Sequence, residues 1–215
     1  MAKSPGPRNF MDKIWNAVAA IARVALWLGG IMLFAAAGIV TAEVLLRKGL
    51  GALAGTGYTF SGSDEISAYL FAVGTSWSLA HVLVTRGHVR IDALYGGFTP
   101  KLRAYCDVFA LLVLGLFLFV LLERAWDIAF TSWSENIRSN TPLRIPLAWA
   151  QMPWFAGLAL FGLVLVLAVL RSLGAIARGD YAAVTAIAGA STQDEEIESE
   201  LKGLGISKAR AGSRN

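Results

Sequence analysis

Residues able to make polar contacts gather between Asp64 and Leu94, in a chain that is 56% hydrophobic and only 16% charged. The stretch opens with Asp64 and Glu65, crosses about twenty residues without a charge and closes on a basic segment; that length suits one membrane-spanning helix. Acids in a first helical turn favour the helix dipole, so capping alone accounts for both carboxylates.

Small and hydroxylated residues recur along this segment at a spacing that places them on one narrow helix stripe. The stripe consists of Ser67, Gly74, Ser78, His81 and Thr85. Such residues allow a second helix to approach closely and to exchange hydrogen bonds, so the stripe predicts contact with protein rather than lipid. For His81 a packing hydrogen bond is favoured over a ligand role, because His81 and His88 lie on one helix and cannot enclose a haem.

The elements that position these residues are predicted to be helices that cross a membrane. Soluble domains average about 25% charged residues, well above this chain. Four apolar segments are long enough to span, and the backbone in lipid must then be helical. They occupy residues 24–46, 66–85, 104–122 and 148–170. The predicted fold class is an all-α membrane protein with four transmembrane helices.

The regions on either side of the spans are predicted to be polar or interfacial. Apolar residues at helical spacing over 10–21 predict an amphipathic helix in the membrane interface, and a simple extension of the first span is the alternative left open. The predicted organisation is an N-terminal region with this helix (1–23), a transmembrane domain (24–175) and a disordered tail (176–215).

Basic residues near the spans number ten on one side of the predicted membrane and five on the other. The positive-inside rule then places both termini and the loop 86–103 in the cytoplasm. The net charge of +4 is explained by this topology. It does not indicate nucleic-acid binding, because no basic face is interleaved with aromatic residues.

A motif follows the second predicted span: RGHVRIDAL, residues 86–94. Together with an acid at the start of that span and the mid-helix Gly74, it resembles the small membrane subunit, of the DctQ type, of tripartite ATP-independent periplasmic (TRAP) transporters. The motif is one residue shorter than usual for that family, since His88 directly follows Gly87. Arg47 also resembles an arginine of the family, and the similarity covers roughly residues 10–175.

The resemblance implies a function in the bacterial inner membrane as the scaffold partner of a large membrane subunit. That larger partner would carry the substrate and the coupling ion, commonly sodium, and a periplasmic binding protein would deliver an organic acid of the C4-dicarboxylate kind. Glu65 and the stripe are expected to contact the large subunit. A cytoplasmic corner is expected to support this contact; a turn that only fixes orientation, or a lipid head-group site, are the alternatives. The corner comprises Arg86, Gly87, His88, Arg90 and Asp92.

Other chemistry is not indicated by the sequence. Glu43 and Arg47 are four residues apart and predict a structural ion pair. The single cysteine, Cys106, and the two histidines leave no pattern for a metal site or a cofactor, and no catalytic arrangement is present, so an enzyme is not expected. The alternative function is a membrane anchor of a respiratory-type enzyme, which would need histidines on different helices.

Overall fold

The computed structural model describes residues 10–50, 62–87 and 98–189. In this part of the chain the helices are α1 (Phe10–Leu45, continued by a π-helical turn Leu46–Leu50), α2 (Ser63–Val84), α3 (Pro100–Ser134), α4 (Ala148–Ala177) and α5 (Tyr181–Ala188). Helices α1 to α4 are each long and apolar enough to cross a membrane. The predicted all-α class with four transmembrane helices is therefore confirmed.

Helix α1 is continuous through the segment for which a separate interfacial helix was predicted. It has 36 residues and so is about 54 Å long, against a hydrocarbon core of about 30 Å. Of the two alternatives left open for residues 10–21, the continuous helix corresponds to the extension of the first span, and a position in the membrane interface stays a prediction. No glycine or proline lies between Phe10 and Gly29, and Val18 and Ala22 are buried in the core, which holds this segment against the bundle.

Arg171 of α4 fixes the beginning of α1. Its Nη2 atom lies 3.0 Å from Oδ1 of Asp12, and its guanidinium lies 4.8 Å from the ring centre of Trp15. These contacts place the start of α1 beside the end of α4. We call this end of the molecule the α5 end, and the opposite one the Glu65 end.

The four long helices stand in a row in the spatial order α1, α2, α4, α3. Helix α1 packs along α2, α2 along α4, and α4 along α3. The inner helices α2 and α4 bury 33% and 44% of their most apolar stretches, against 17% and 22% for the edge helices α1 and α3. The edge helices accordingly expose large apolar side chains, such as Phe34 on α1 and Phe117 on α3. The result is a slab one helix thick.

The crossing of α2 and α4 combines close packing with one hydrogen bond. A Cβ atom at Gly157 would lie 2.6 Å from Cδ1 of Trp77 and 2.8 Å from the carbonyl carbon of Ser76, so the helices meet where α4 has no side chain. The indole Nε1 of Trp77 donates to the carbonyl oxygen of Pro153 at 2.8 Å. The hydrogen bond therefore fixes the register of the two inner helices.

Trp77→Phe is expected to destabilise the protein by about 1 kcal/mol or more, because the hydrogen bond to Pro153 is lost and the smaller phenyl ring fills less of the space at the helix crossing. Thermal unfolding of the detergent-purified protein would measure the change. Trp149→Phe is the matched control, since Trp149 is 72% exposed. Equal effects of both substitutions would contradict a role for the Trp77 hydrogen bond.

Helix α5 lies in the region for which the sequence predicted a disordered tail (176–215). The chain reverses at Gly179 (φ 73°), and the Asp180 carboxylate caps the new helix by accepting from the N–H of Ala183 at 3.0 Å. Val184 is completely buried against α3 and α4. The structure differs from the expectation here because this apolar docking contact orders the helix; residues 190–215 lie outside the described residues.

Candidate functional site

Glu65 begins the second helix and is the centre of a polar cluster that joins two elements far apart in sequence. Its side chain is only 6% exposed. The Tyr69 hydroxyl donates to Oε1 at 2.7 Å, and the Thr141 hydroxyl donates to Oε2. The Thr141 and Ser139 hydroxyls are also hydrogen bonded to each other. We call Glu65, Tyr69, Ser139 and Thr141 the Glu65 cluster.

The cluster holds the loop between α3 and α4, residues 135–147, over the start of α2. The loop is folded on itself: the N–H of Ser139 donates to Ile145 at 2.9 Å, and that of Leu147 donates to Ile137 at 3.0 Å. Leu143 packs so closely on Gly62 that a side chain at Gly62 would collide with it. The buried Glu65 carboxylate therefore attaches the loop to the helix bundle through its hydroxyl donors.

No role was predicted from the sequence for Ser139 or Thr141. They lie 74 and 76 residues after Glu65 in a loop that the sequence shows only to be polar. The signal that was available is the density of serine, asparagine and threonine there, since short hydroxylated side chains commonly bond locally to backbone groups in turns.

The predicted stripe contains a close contact within the chain itself. A Cβ atom at Gly29 of α1 would lie 2.5 Å from the carbonyl oxygen of Gly74 and 2.8 Å from the hydroxyl of Ser78. Likewise, a Cβ atom added at Gly74 would lie 2.8 Å from the carbonyl oxygen of Gly29. The physical expectation that small residues admit a neighbouring helix is met, and the neighbour that covers Gly74 and Ser78 is α1.

The other members of the stripe are less enclosed. Ser67 is half-buried and its hydroxyl donates to the carbonyl of Asp64 at 3.1 Å, while Thr85 is exposed and donates to the carbonyl of His81 at 3.0 Å. The Nδ1 atom of His81 is buried, and within the described residues it has no hydrogen-bond partner. A contact of these residues with another subunit remains a prediction.

The predicted cytoplasmic corner is described only at its beginning. Arg86 has a left-handed backbone (φ 57°), and its Nη1 atom lies 3.5 Å from the carbonyl oxygen of Thr185 on α5. Gly87 is exposed. His88, Arg90 and Asp92 lie outside the described residues, so their part of the corner stays a prediction.

Glu43 lies at the same end of the molecule as Glu65. Its carboxylate accepts a hydrogen bond from the hydroxyl of Ser63, which ties the end of α1 to the start of α2. The predicted ion pair between Glu43 and Arg47 stays a prediction; the contact that the structure gives Glu43 is the one with Ser63.

Two completely buried polar residues on α3 and α4 were also missed. Asp107 and Ser172 are both 0% exposed, in the half of the bundle towards the α5 end. The sequence carries a signal for Asp107, because Arg103 precedes it by four residues on the same helix face. Asp107 lies near the beginning of the predicted span 104–122, where an acid resembles a polar helix end.

The described residues contain no group of three or more histidine, cysteine, aspartate or glutamate side chains that could hold a metal ion. The polar contacts among them join helix to helix and loop to helix. Fold and contacts together define a four-helix membrane protein whose described polar contacts join its own helices and loops.

Comparison with known families gives this class a more specific identity. The sequence matches the family described as tripartite ATP-independent periplasmic transporters, DctQ component, over residues 36–175, which is more than half of the chain. The chain belongs to this family and is the small membrane subunit of a TRAP transporter, a multi-pass protein of the inner membrane; the resemblance seen in the sequence is confirmed. The comparisons with curated proteins and with solved structures give no match.

Proposed function

We propose that this subunit widens the stationary scaffold against which the large membrane subunit moves its substrate-carrying domain. The observation that carries the proposal is the row of four helices, which makes the protein a broad slab rather than a compact bundle. A slab placed beside a moving domain lengthens the fixed surface in the membrane plane and opposes tilting of that domain. The polar contacts at the two ends, Glu65–Thr141 and Arg171–Asp12, support the rigidity that this task requires.

Helix α2 supplies the proposed contact with the large subunit. Its exposed face is built mainly from small side chains, in contrast to the bulky faces of α1 and α3, and small residues favour close helix approach in membranes. This face comprises Ala68, Phe71, Ala72 and Thr75. Of the residues that the sequence indicated, Glu65 and Thr85 lie on the same helix and Thr85 is exposed, whereas Gly74 and Ser78 lie under α1.

Substitution at an exposed small residue tests the contact without disturbing the fold of the chain. Ala72→Trp is expected to reduce co-purification with the large subunit by about tenfold, because the large ring separates the two helices. Ala110→Trp on α3 is the matched control, since Ala110 is also an exposed alanine of a membrane helix. Undiminished co-purification of the Ala72 variant, or equal loss in the control, would contradict this placement.

The transport roles of the partners complete the proposal. The distribution of basic residues supports a cytoplasmic α5 end and a periplasmic Glu65 end, so that the loop 135–147 would face the substrate-binding protein. Organic acids of the C4-dicarboxylate kind are the proposed substrates and sodium the proposed coupling ion, both because of the family.

Reconstitution of the three components in liposomes tests the function directly. Uptake of a radiolabelled C4-dicarboxylate under an inward sodium gradient is expected with all components and is expected to fall to background when this subunit is omitted. A panel of other organic acids and a potassium gradient test the substrate and the ion separately. Solute flux through liposomes that contain this subunit alone would contradict the scaffold role.

A further inference from the structure

Helix α5 differs from an ordinary surface helix because none of its eight residues is charged. Val184 and Ala188 are buried against the bundle, while Ala182 and Ala186 face outwards and are exposed. A helix in water normally presents a polar outer face. An apolar outer face at the end of a membrane-spanning slab fits the boundary between lipid head groups and acyl chains.

Basic residues are present on three elements next to this apolar helix, and one of them contacts it directly. Arg86, at the end of α2, reaches the carbonyl of Thr185 on the last turn of α5. Lys101 lies three residues before Ala104 on α3, so it extends the face that contacts Val184 by one turn. Arg178 follows Ala175 by three residues, directly after the end of α4, and its Nη1 atom would lie 3.9 Å from a Cβ atom at Gly174.

Negative charge near α5 is small in the described part of the chain. The Asp180 carboxylate is engaged as the cap of α5, and Asp107 is completely buried. Lys101 and Arg178 are both exposed and therefore accessible to a ligand from outside. The position thus combines accessible positive charge with an apolar surface directly beside it.

We propose that the α5 end binds the head group of an anionic phospholipid, with Lys101 and Arg178 contacting the phosphate, Arg86 supporting them, and the outer face of α5 lying against the first carbons of the acyl chains. Charge complementarity specifies an anionic rather than a zwitterionic head group. The apolar face of α5 specifies a lipid rather than a free anion.

Native mass spectrometry of the detergent-purified full chain, titrated with phosphatidylglycerol or phosphatidylcholine, tests the proposal. Each basic residue at an anionic membrane surface contributes about fivefold to binding, so the double variant Lys101→Gln/Arg178→Gln is expected to lose about 25-fold in phosphatidylglycerol affinity. Phosphatidylcholine binding is expected to stay the same.

The control is Arg47→Gln/Lys48→Gln, which removes two exposed charges at the opposite end and is expected to change phosphatidylglycerol affinity less than twofold. Retained binding in the first variant, or equal loss in the second, would overturn the site.

A second pair of variants tests the apolar face. Ala182→Glu places a charge on the exposed side of α5 but in its first turn, where an acid favours the helix, so α5 is expected to remain folded. It is expected to lower phosphatidylglycerol affinity at least fivefold, and Ala182→Gln less than twofold. Displacement of the lipid by 10 mM inorganic phosphate would identify a small-anion site instead. If the Lys101→Gln/Arg178→Gln variant still binds phosphatidylglycerol but no longer co-purifies with the large subunit, these residues form a protein contact. This result or displacement by phosphate would overturn the proposal.

Discussion

Gly29→Leu is expected to destabilise the protein by roughly 3 kcal/mol or more and to prevent α1 from packing on α2. The first atom of any side chain at this position would lie 2.5 Å from the carbonyl oxygen of Gly74. That oxygen belongs to the backbone of a helix and cannot rotate away, so the helices must separate along their contact. Overpacking usually costs about 1–3 kcal/mol, and a backbone obstacle belongs at the upper limit. Thermal unfolding in detergent measures the effect.

The neighbouring glycine supplies the control for this experiment. A Cβ atom at Gly30 would meet nothing within 4 Å, although Gly30 lies in the same helix and the same membrane region. Gly30→Leu is therefore expected to leave stability unchanged or to raise it slightly, because leucine favours the helix more than glycine does. If both leucine variants unfold at the same temperature, the helices are not in contact at Gly29.

This contact also marks where sequence reasoning reaches its limit. The glycines of the first span and the stripe on the second were both recognisable as surfaces for close packing. Their composition does not reveal that Gly29 and Gly74 face each other, because the partner of a small residue is set by the rotation of each helix about its axis. The structure shows that α1 of the same chain covers Gly74, and the expected contact of Gly74 with a large subunit stays a prediction.

The four membrane-spanning helices were predictable from the sequence, whereas the residues at which helices begin and end were less so. Hydropathy locates four spans since lipid leaves the backbone few alternatives to a helix. The continuous start of α1 and the existence of α5 depend on burial of Val18 and Val184 by other elements, which hydropathy over a local window does not contain. Asp107 was missed for a related reason, because an acid at the margin of an apolar run is indistinguishable from a polar helix end.

Glu65 shows both what the sequence can predict and what only the fold reveals. Glu65 was expected to contact a partner subunit, which stays a prediction; the structure buries it within its own chain with two hydroxyl donors. The donor from the loop lies 76 residues further along the chain. Only the folded arrangement of α3 and α4 brings Thr141 to this carboxylate, so no spacing rule could have identified it.

Glu65→Ala is expected to release the loop 135–147 from the bundle. The substitution removes the acceptor of the Tyr69 and Thr141 hydroxyls. Because Thr141 is exposed and Tyr69 is half-buried, water can replace the lost partner, and the expected cost is that of ordinary hydrogen bonds, about 0.5–1.5 kcal/mol each. Most of this cost falls on the loop, because α2 keeps its own backbone hydrogen bonds and its packing against α1 and α4. Trypsin cleavage at Arg138 and Arg144, both exposed, is expected to accelerate roughly tenfold, since cleavage follows the population of the opened loop.

Asp64→Ala provides the comparison, because Asp64 is the adjacent acid and is exposed. It is expected to leave the cleavage rate unchanged. Thr141→Val separates the hydrogen bond from other effects: if the bond to Glu65 holds the loop, combining Thr141→Val with Glu65→Ala should add little to either change alone. Two results would contradict this role of the carboxylate: fully additive effects of the two substitutions on the cleavage rate, or a cleavage rate that Glu65→Ala does not change. The packing of Leu143 on Gly62 and the hydrogen bonds within the loop would then be sufficient to hold it.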